Sequence, residues 1–154
     1  MQIQIDSREK QKAIKKIISE FDNREIMHFT SKLYIGDYMS LDNPRTVVDR
    51  KQNLSELYGN LCHDRKRFCA ELIRAQQAGI KLVILVEHGG KIKSVQDVKE
   101  WNNPRLEQNP YAWDGMRMYT EIKRCEKLYN VEFRFCSKAH TGSEIIKILG
   151  EKNE

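Results

Sequence analysis

A chain of 154 residues, 40% of them hydrophobic, is long enough for one domain with a packed core. With 32% charged residues and no apolar run longer than 82–86, it offers no stretch that would span a membrane. The formal net charge of +5 leans towards polyanionic partners, nucleic acid among them.

The N-terminal Met1-Gln2-Ile3-Gln4-Ile5-Asp6 lacks the basic-then-apolar layout of a signal peptide, so a cytoplasmic protein is expected. Cys62, Cys69, Cys125 and Cys136 form no C-x-x-C pair, and Cys62-His63 has no second close pair to complete a zinc site. Reduced thiols are expected, without disulfides.

Ile3 and Ile5 flank polar residues and predict a short strand ending at Asp6. Ser7 is placed to cap a helix carrying Ile14, Ile17, Ile18 and Phe21. Residues 24–30 read as a second strand or its lead-in. From 33 to 41 the period becomes two, with Leu33, Ile35, Asp37, Met39 and Leu41 on one face. Asp42-Asn43-Pro44 reads as a turn. Residues 45–51 then alternate again, which predicts a hairpin. Beyond Asn53, Leu54, Leu57 and Leu61 make one helical stripe and Phe68, Leu72 and Ala75 a second, with Gly79 as the stop. Residues 80–86 predict a central strand closed by His88-Gly89-Gly90. Ser94 with Asp97 predicts a short helix before Trp101, followed by loop, a helix over 113–129 and a strand over 131–135. Thr141-Gly142-Ser143-Glu144 reads as a capping box for a last helix. The order implies an α/β fold, a mixed sheet flanked by helices.

The hairpin carries the chemistry. With a loop at 42–44, Leu41 faces Arg45 and Asp37 falls directly opposite Asp49, with Cβ atoms about 5 Å apart on one face. At an effective dielectric near 20 their repulsion is about 3 kcal/mol. A shared proton, a cationic side chain or a divalent cation would relieve it. Lys51, on the same face, supplies one positive charge; Mg²⁺ or Mn²⁺ would supply two and keep open positions for water. This suits phosphodiester hydrolysis, with Lys51 holding the attacking water or neutralising the transition state. Arg50 points to the other side of an ideal strand, which suits a structural or phosphate-contacting role. The competing reading is an exposed polar hairpin face whose slipped register separates the acids.

Ile35-Gly36-Asp37-Tyr38, then Val47-Val48-Asp49-Arg50-Lys51, then Ser55-Glu56-Leu57-Tyr58-Gly59-Asn60-Leu61, resembles the nuclease domain of XPF-type structure-specific endonucleases. That family carries Gly-Asp, Glu-Arg-Lys and Ser-Asp-Leu within the PD-(D/E)XK, restriction-endonuclease-like fold. Ile5-Asp6-Ser7-Arg8-Glu9 resembles its first strand and Asp-x-Arg-Glu, and 82–87 its apolar strand ending in Ile-Glu. The resemblance implies that Asp37 and Asp49 are metal ligands with Asp6 as a further acid. It makes Lys51 the catalytic lysine and Arg50 its partner in the triplet. Arg8 and Glu9 border the site, with Glu56 and Glu87 as supporting groups. It also implies Mg²⁺ or Mn²⁺ as cofactor, branched or flapped DNA as substrate, and a homodimer.

Two departures stand out: Asp49 replaces the family's glutamate, and Glu56 lies one position later than its aspartate. No segment resembles the helix-hairpin-helix module with which relatives grip DNA and dimerise, so 1–154 reads as one nuclease domain. A stand-alone version resembles phage and prophage proteins, implying a bacterial or phage-infected cell and a role in recombination, replication or repair.

His63-Asp64-Arg65-Lys66-Arg67 is a basic cluster from which Arg65 and Lys66 are candidate phosphate contacts; a solvated helix face is the alternative. Arg67 and Arg74, seven apart, would extend that track. Trp101, Tyr111 and Trp113 are expected to anchor a loop rather than stack on bases. Beside the endonuclease, a non-catalytic DNA-binding module of the same fold and an RNA-directed nuclease are the competing functions.

Overall fold

The computed structural model describes residues 1–151. Six strands, Gln2–Ile5 (β1), Met27–Thr30 (β2), Tyr38–Ser40 (β3), Asn43–Lys51 (β4), Lys81–Glu87 (β5) and Val131–Cys136 (β6), form one mixed sheet in the order β2-β1-β3-β4-β5-β6. β1 runs parallel to β2 and antiparallel to β3; β3 and β4 form an antiparallel hairpin; β4, β5 and β6 are parallel.

Alternation along these strands sends apolar side chains to both faces. On one, Ile35, Val47, Leu82, Ile84, Val86 and Phe133 pack with residues of Leu54–Cys62 (α2), Arg65–Gln77 (α3) and Gly115–Leu128 (α4). On the other, Ile5, Tyr38, Val48, Val83 and Leu85 pack with Lys15–Asn23 (α1) and Thr141–Gly150 (α5).

The stripes on α2 and α3 are buried as their spacing predicts. Gly79, at φ +69°, ends α3, with the Ile80 N–H returning to the Ala75 carbonyl at 2.9 Å. The Ser94–Asp97 signal becomes a 3₁₀ turn over Gln96–Glu100, and Asp114 caps α4 through the Arg117 N–H. Trp101 and Trp113 pack around Tyr58 as loop anchors, but Tyr111, 90% exposed, does not.

Four further local expectations are corrected. α1 begins at Lys15, not after Ser7, and has no side-chain cap; turns occupy the intervening residues. The hairpin turn is Leu41-Asp42, because Ser40 pairs with Asn43 and the register shifts after Met39. Pro44, which has no N–H to give to a ladder, sits in that shift. Leu41 is consequently exposed instead of facing the core. The capping box at Thr141 does not form. Thr141 is already inside α5, and its hydroxyl donates inward to Glu87 Oε2 at 2.8 Å.

Candidate active site

The slipped turn leaves the predicted pairing intact as far as Tyr38. Tyr38 pairs with Val48 and Met39 with Val47, and the regular pairing ends there. The Asp37 N–H donates to the same Val48 carbonyl at 2.8 Å, one residue out of that register, and the Asp37 carboxyl still lies close enough to Asp49 to feel its charge and a hydrogen bond. On the other side Ile5 pairs with Tyr38, and the Asp6 N–H donates to the Asp37 carbonyl at 2.8 Å. Asp6, Asp37 and Asp49 thus lie in a row across β1, β3 and β4.

Glycine is required just before this row. Gly36 has φ +71°, and a Cβ there would lie 2.4 Å from Val47 Cγ1. Only a residue without a side chain lets the chain pass so close to β4 and deliver Asp37.

Asp49 is buried, and its Oδ2 has no hydrogen-bond partner among the described residues. Lys51 Nζ lies 3.3 Å from that oxygen, in ion-pair range but without hydrogen-bond geometry, and 5.5 Å from the Phe68 ring centroid. Burial, followed by the charge of Asp49, pushes the Asp37 carboxyl well above its ordinary range; the Arg50 backbone N–H, donating to Asp37 Oδ2 at 2.8 Å, pulls it back only in part. Burial alone would lower the Lys51 ammonium, but Asp49, Glu56 and Asp37 outweigh it, so its pKa is raised and the amine stays charged.

A third acid, Glu71 on α3, was not legible as a site residue. Burial and the charge of Asp49 raise its carboxyl, while Lys51, the Gly36 N–H and Arg74 oppose the rise. Its sequence signal is slight: an acid flanking the buried Phe68–Leu72–Ala75 stripe on the helix that covers β4.

The other predicted residues take different places. Asp6 is fully buried, but both oxygens are occupied: Oδ1 accepts from the Leu33 N–H at 2.8 Å and Oδ2 from Arg8 Nε at 2.6 Å. Burial raises its carboxyl, but these donors outweigh that and hold it low. These contacts make Asp6 an anchor of the segment that follows β1. Arg8, held by Asp6 through Nε and by the Leu33 carbonyl at 3.5 Å, keeps 65% of its side chain exposed.

Arg50 points away from the acid pair, and is gripped by Glu9 at 2.8 and 3.0 Å and by Glu87. Its side chain is 5% exposed, which favours the structural role over the phosphate-contacting one. Glu9 and Glu87 are its counter-ions on that opposite face. Glu56 accepts from the Gln52 N–H at 2.7 Å while Asn53 accepts from the Glu56 N–H at 2.8 Å, an N-terminal cap on α2. Arg65 is tied to Glu121 at 2.7 Å and keeps 39% of its side chain exposed; Lys66 is exposed.

A divalent cation fits this arrangement. The described residues contain no cluster of three or more acidic, histidine or cysteine ligands. Magnesium, however, is commonly held by one or two carboxylates, with water and phosphate oxygens completing the shell. Asp37 and Asp49, whose Oδ2 accepts no hydrogen bond among the described residues, would be those two.

The family model described as the ERCC4 domain matches residues 5–149. The chain belongs to the ERCC4 domain family. Its fold is that of the XPF nuclease domain. "XPF from Aeropyrum pernix" is similar at 17% identity and a TM-score of 0.68, over 97% of this chain and 63% of that one. "XPF from Aeropyrum pernix, complex with DNA" is similar at 16% identity and a TM-score of 0.65, over 96% and 62%. This ERCC4 domain chain therefore spans less than two thirds of those structures. No curated protein matches it.

Proposed function

We propose that this ERCC4 domain is a metal-dependent DNA endonuclease acting on branched or flapped DNA. The observation that carries the reading is the close approach of the Asp37 and Asp49 carboxyls, with a buried Asp49 Oδ2 that has no hydrogen bond among the described residues and the Lys51 ammonium in ion-pair range at 3.3 Å. Two acids so placed repel, and the fold retains them without a closed set of donors. Asp37 and Asp49 would hold Mg²⁺ or Mn²⁺, which when bound acidifies a water and stabilises charge on the phosphoryl oxygens. Lys51 stays protonated beside that position and can orient the attacking water or offset the growing negative charge. Arg8, at the rim, is placed to receive a flanking phosphate. DNA binding is supported by the family and by a similar fold described as XPF in complex with DNA.

The test is incubation with labelled fork, flap, four-way junction and linear duplex, with and without Mg²⁺ or Mn²⁺. We expect metal-dependent cutting of at least one branched substrate. Asp49→Asn should abolish cutting and leave binding largely intact. Binding without product on any substrate would instead make the domain a non-catalytic DNA-binding module. An Asp49→Asn variant that cuts at the wild-type rate would remove the acid pair from the chemistry.

A further inference from the structure

We propose that Tyr34, with Arg74 beside it, is a stacking seat for an unpaired base in the DNA strand that crosses the acid pair. This rests on the nuclease reading above and adds a cause for substrate choice.

Tyr34 keeps 72% of its surface exposed, whereas Tyr38 and Tyr58 are buried. Its neighbours are fixed. Leu33 and Ile35 are buried on either side, the Leu33 N–H is held by Asp6, and the Asp37 N–H is bonded to the Val48 carbonyl on β4. Gly36, against Val47, leaves that segment little room to shift. The phenol is therefore displayed from a short segment pinned at both ends. An exposed aromatic ring on such a support is ready to stack, because the loop gives up little freedom when a base arrives.

The surroundings suit a nucleotide. The Arg74 guanidinium lies 5.9 Å from the Tyr34 ring centroid, and Arg74 is exposed in the last turn of α3. A planar cation beside an aromatic face can accept a base or a backbone phosphate. Lys32 is exposed next to the loop, and Arg8 is exposed on its far side. Tyr34 precedes Asp37 by three residues, so the two lie within about 10 Å along the chain. A strand whose phosphate reaches the acid pair then brings a nearby base to the ring. Bases inside a duplex are already stacked on each other, so only an unpaired nucleotide can use the seat. Selection of flaps and forks would follow from this without contacts that read sequence.

The experiment measures binding in an Asp49→Asn background, which prevents cutting. The probes are a forked DNA carrying 2-aminopurine at successive unpaired positions beside the junction, and a linear duplex of the same paired sequence. We expect one position to show quenching that Tyr34→Ala removes and Tyr34→Phe keeps. Tyr34→Ala should weaken fork binding roughly 5- to 150-fold, the range for loss of one stacked base. Duplex binding should stay within about 2-fold, since phosphate contacts there are untouched. Equal weakening on fork and duplex, or unchanged fork binding, would overturn the inference. Cutting by the otherwise wild-type protein separates the two readings: cutting that is indifferent to Tyr34→Ala on every substrate removes the seat alone. Position-specific quenching without cutting would keep the seat and remove the nuclease.

Discussion

Replacing Asp37 with asparagine should make the metal-free protein more stable at neutral pH, although it removes a central residue of the site. The Asp37 and Asp49 carboxyls interact at close range, and facing side chains on neighbouring strands stand about 5 Å apart. Two full charges at that spacing, in an effective dielectric near 20, repel by about 3 kcal/mol. Lys51, 3.3 Å from Asp49 Oδ2, offsets part of this. A net gain of about 1–2 kcal/mol remains, worth roughly 2–8 °C in Tm for a chain of this size. Asparagine keeps a carbonyl oxygen for the Arg50 N–H, so the backbone bond at 2.8 Å is not lost.

The pH dependence has a definite sign. Burial and Asp49 raise the Asp37 carboxyl well above 3.8, so the folded protein keeps a proton that the unfolded chain has released. That contribution to stability is complete below about pH 3.8 and is lost as pH rises through the folded value. Thermal unfolding of both proteins in chelator, between about pH 4 and 8, should show the advantage of Asp37→Asn widening as pH rises. Saturating Mg²⁺ should reverse the ranking, because a ligand bound only by the folded state stabilises it. A variant less stable than wild type at pH 8 without metal, or an advantage independent of pH, would refute the repulsion between these acids.

Arg50→Met should leave Glu9 and Glu87 buried without their cation and destabilise by about 3–5 kcal/mol, read by urea unfolding. Unchanged stability with weakened DNA binding would return Arg50 to a phosphate-contacting role. Gly36→Ala should cost at least about 1–2 kcal/mol for the left-handed backbone alone, with the Val47 clash added. Because Asp37 follows directly, cutting should fall more in Gly36→Ala than in an equally destabilised core variant such as Val83→Ala.

That Asp37 and Asp49 come close together was legible from strand parity. The turn falls one residue earlier than Asp42-Asn43-Pro44 suggests, and the shift is absorbed between Met39 and Ser40, so Tyr38 still pairs with Val48 beside the two acids. Buried stripes were equally clear, since period fixes which face of α2 or α3 is covered. Caps were not. Ser7 and Thr141 have the right composition for helix starts, but the first stands in a run of turns and the second spends its hydroxyl on Glu87. The role of a carboxylate was the least legible quantity. Asp6, Glu9, Glu56, Glu71 and Glu87 differ mainly in what their oxygens meet, and those partners come from elements distant in sequence. The ion pair of Arg65 was hidden for the same reason, because Glu121 lies on α4.

Alternation along β4 explains why one face of this sheet is suited to chemistry and the other to support. Asp49 and Lys51 point to the side of α2 and α3, and Arg50 to the side of α1 and α5. On Arg50's side the ionic groups are closed into a set: both carboxylates hold the guanidinium, and Thr141 donates to Glu87. On the other side Lys51 faces Asp37, Asp49 and, more remotely, Glu71, and an Asp49 oxygen stays without a hydrogen bond. The excess is negative, and it is expressed in the raised carboxyls of Asp37 and Glu71. A proton can relieve it at low pH, and a divalent cation at neutral pH. The closed set keeps β4 and the segment after β1 in place, so the open set can remain unsatisfied without the strands moving apart to relieve it.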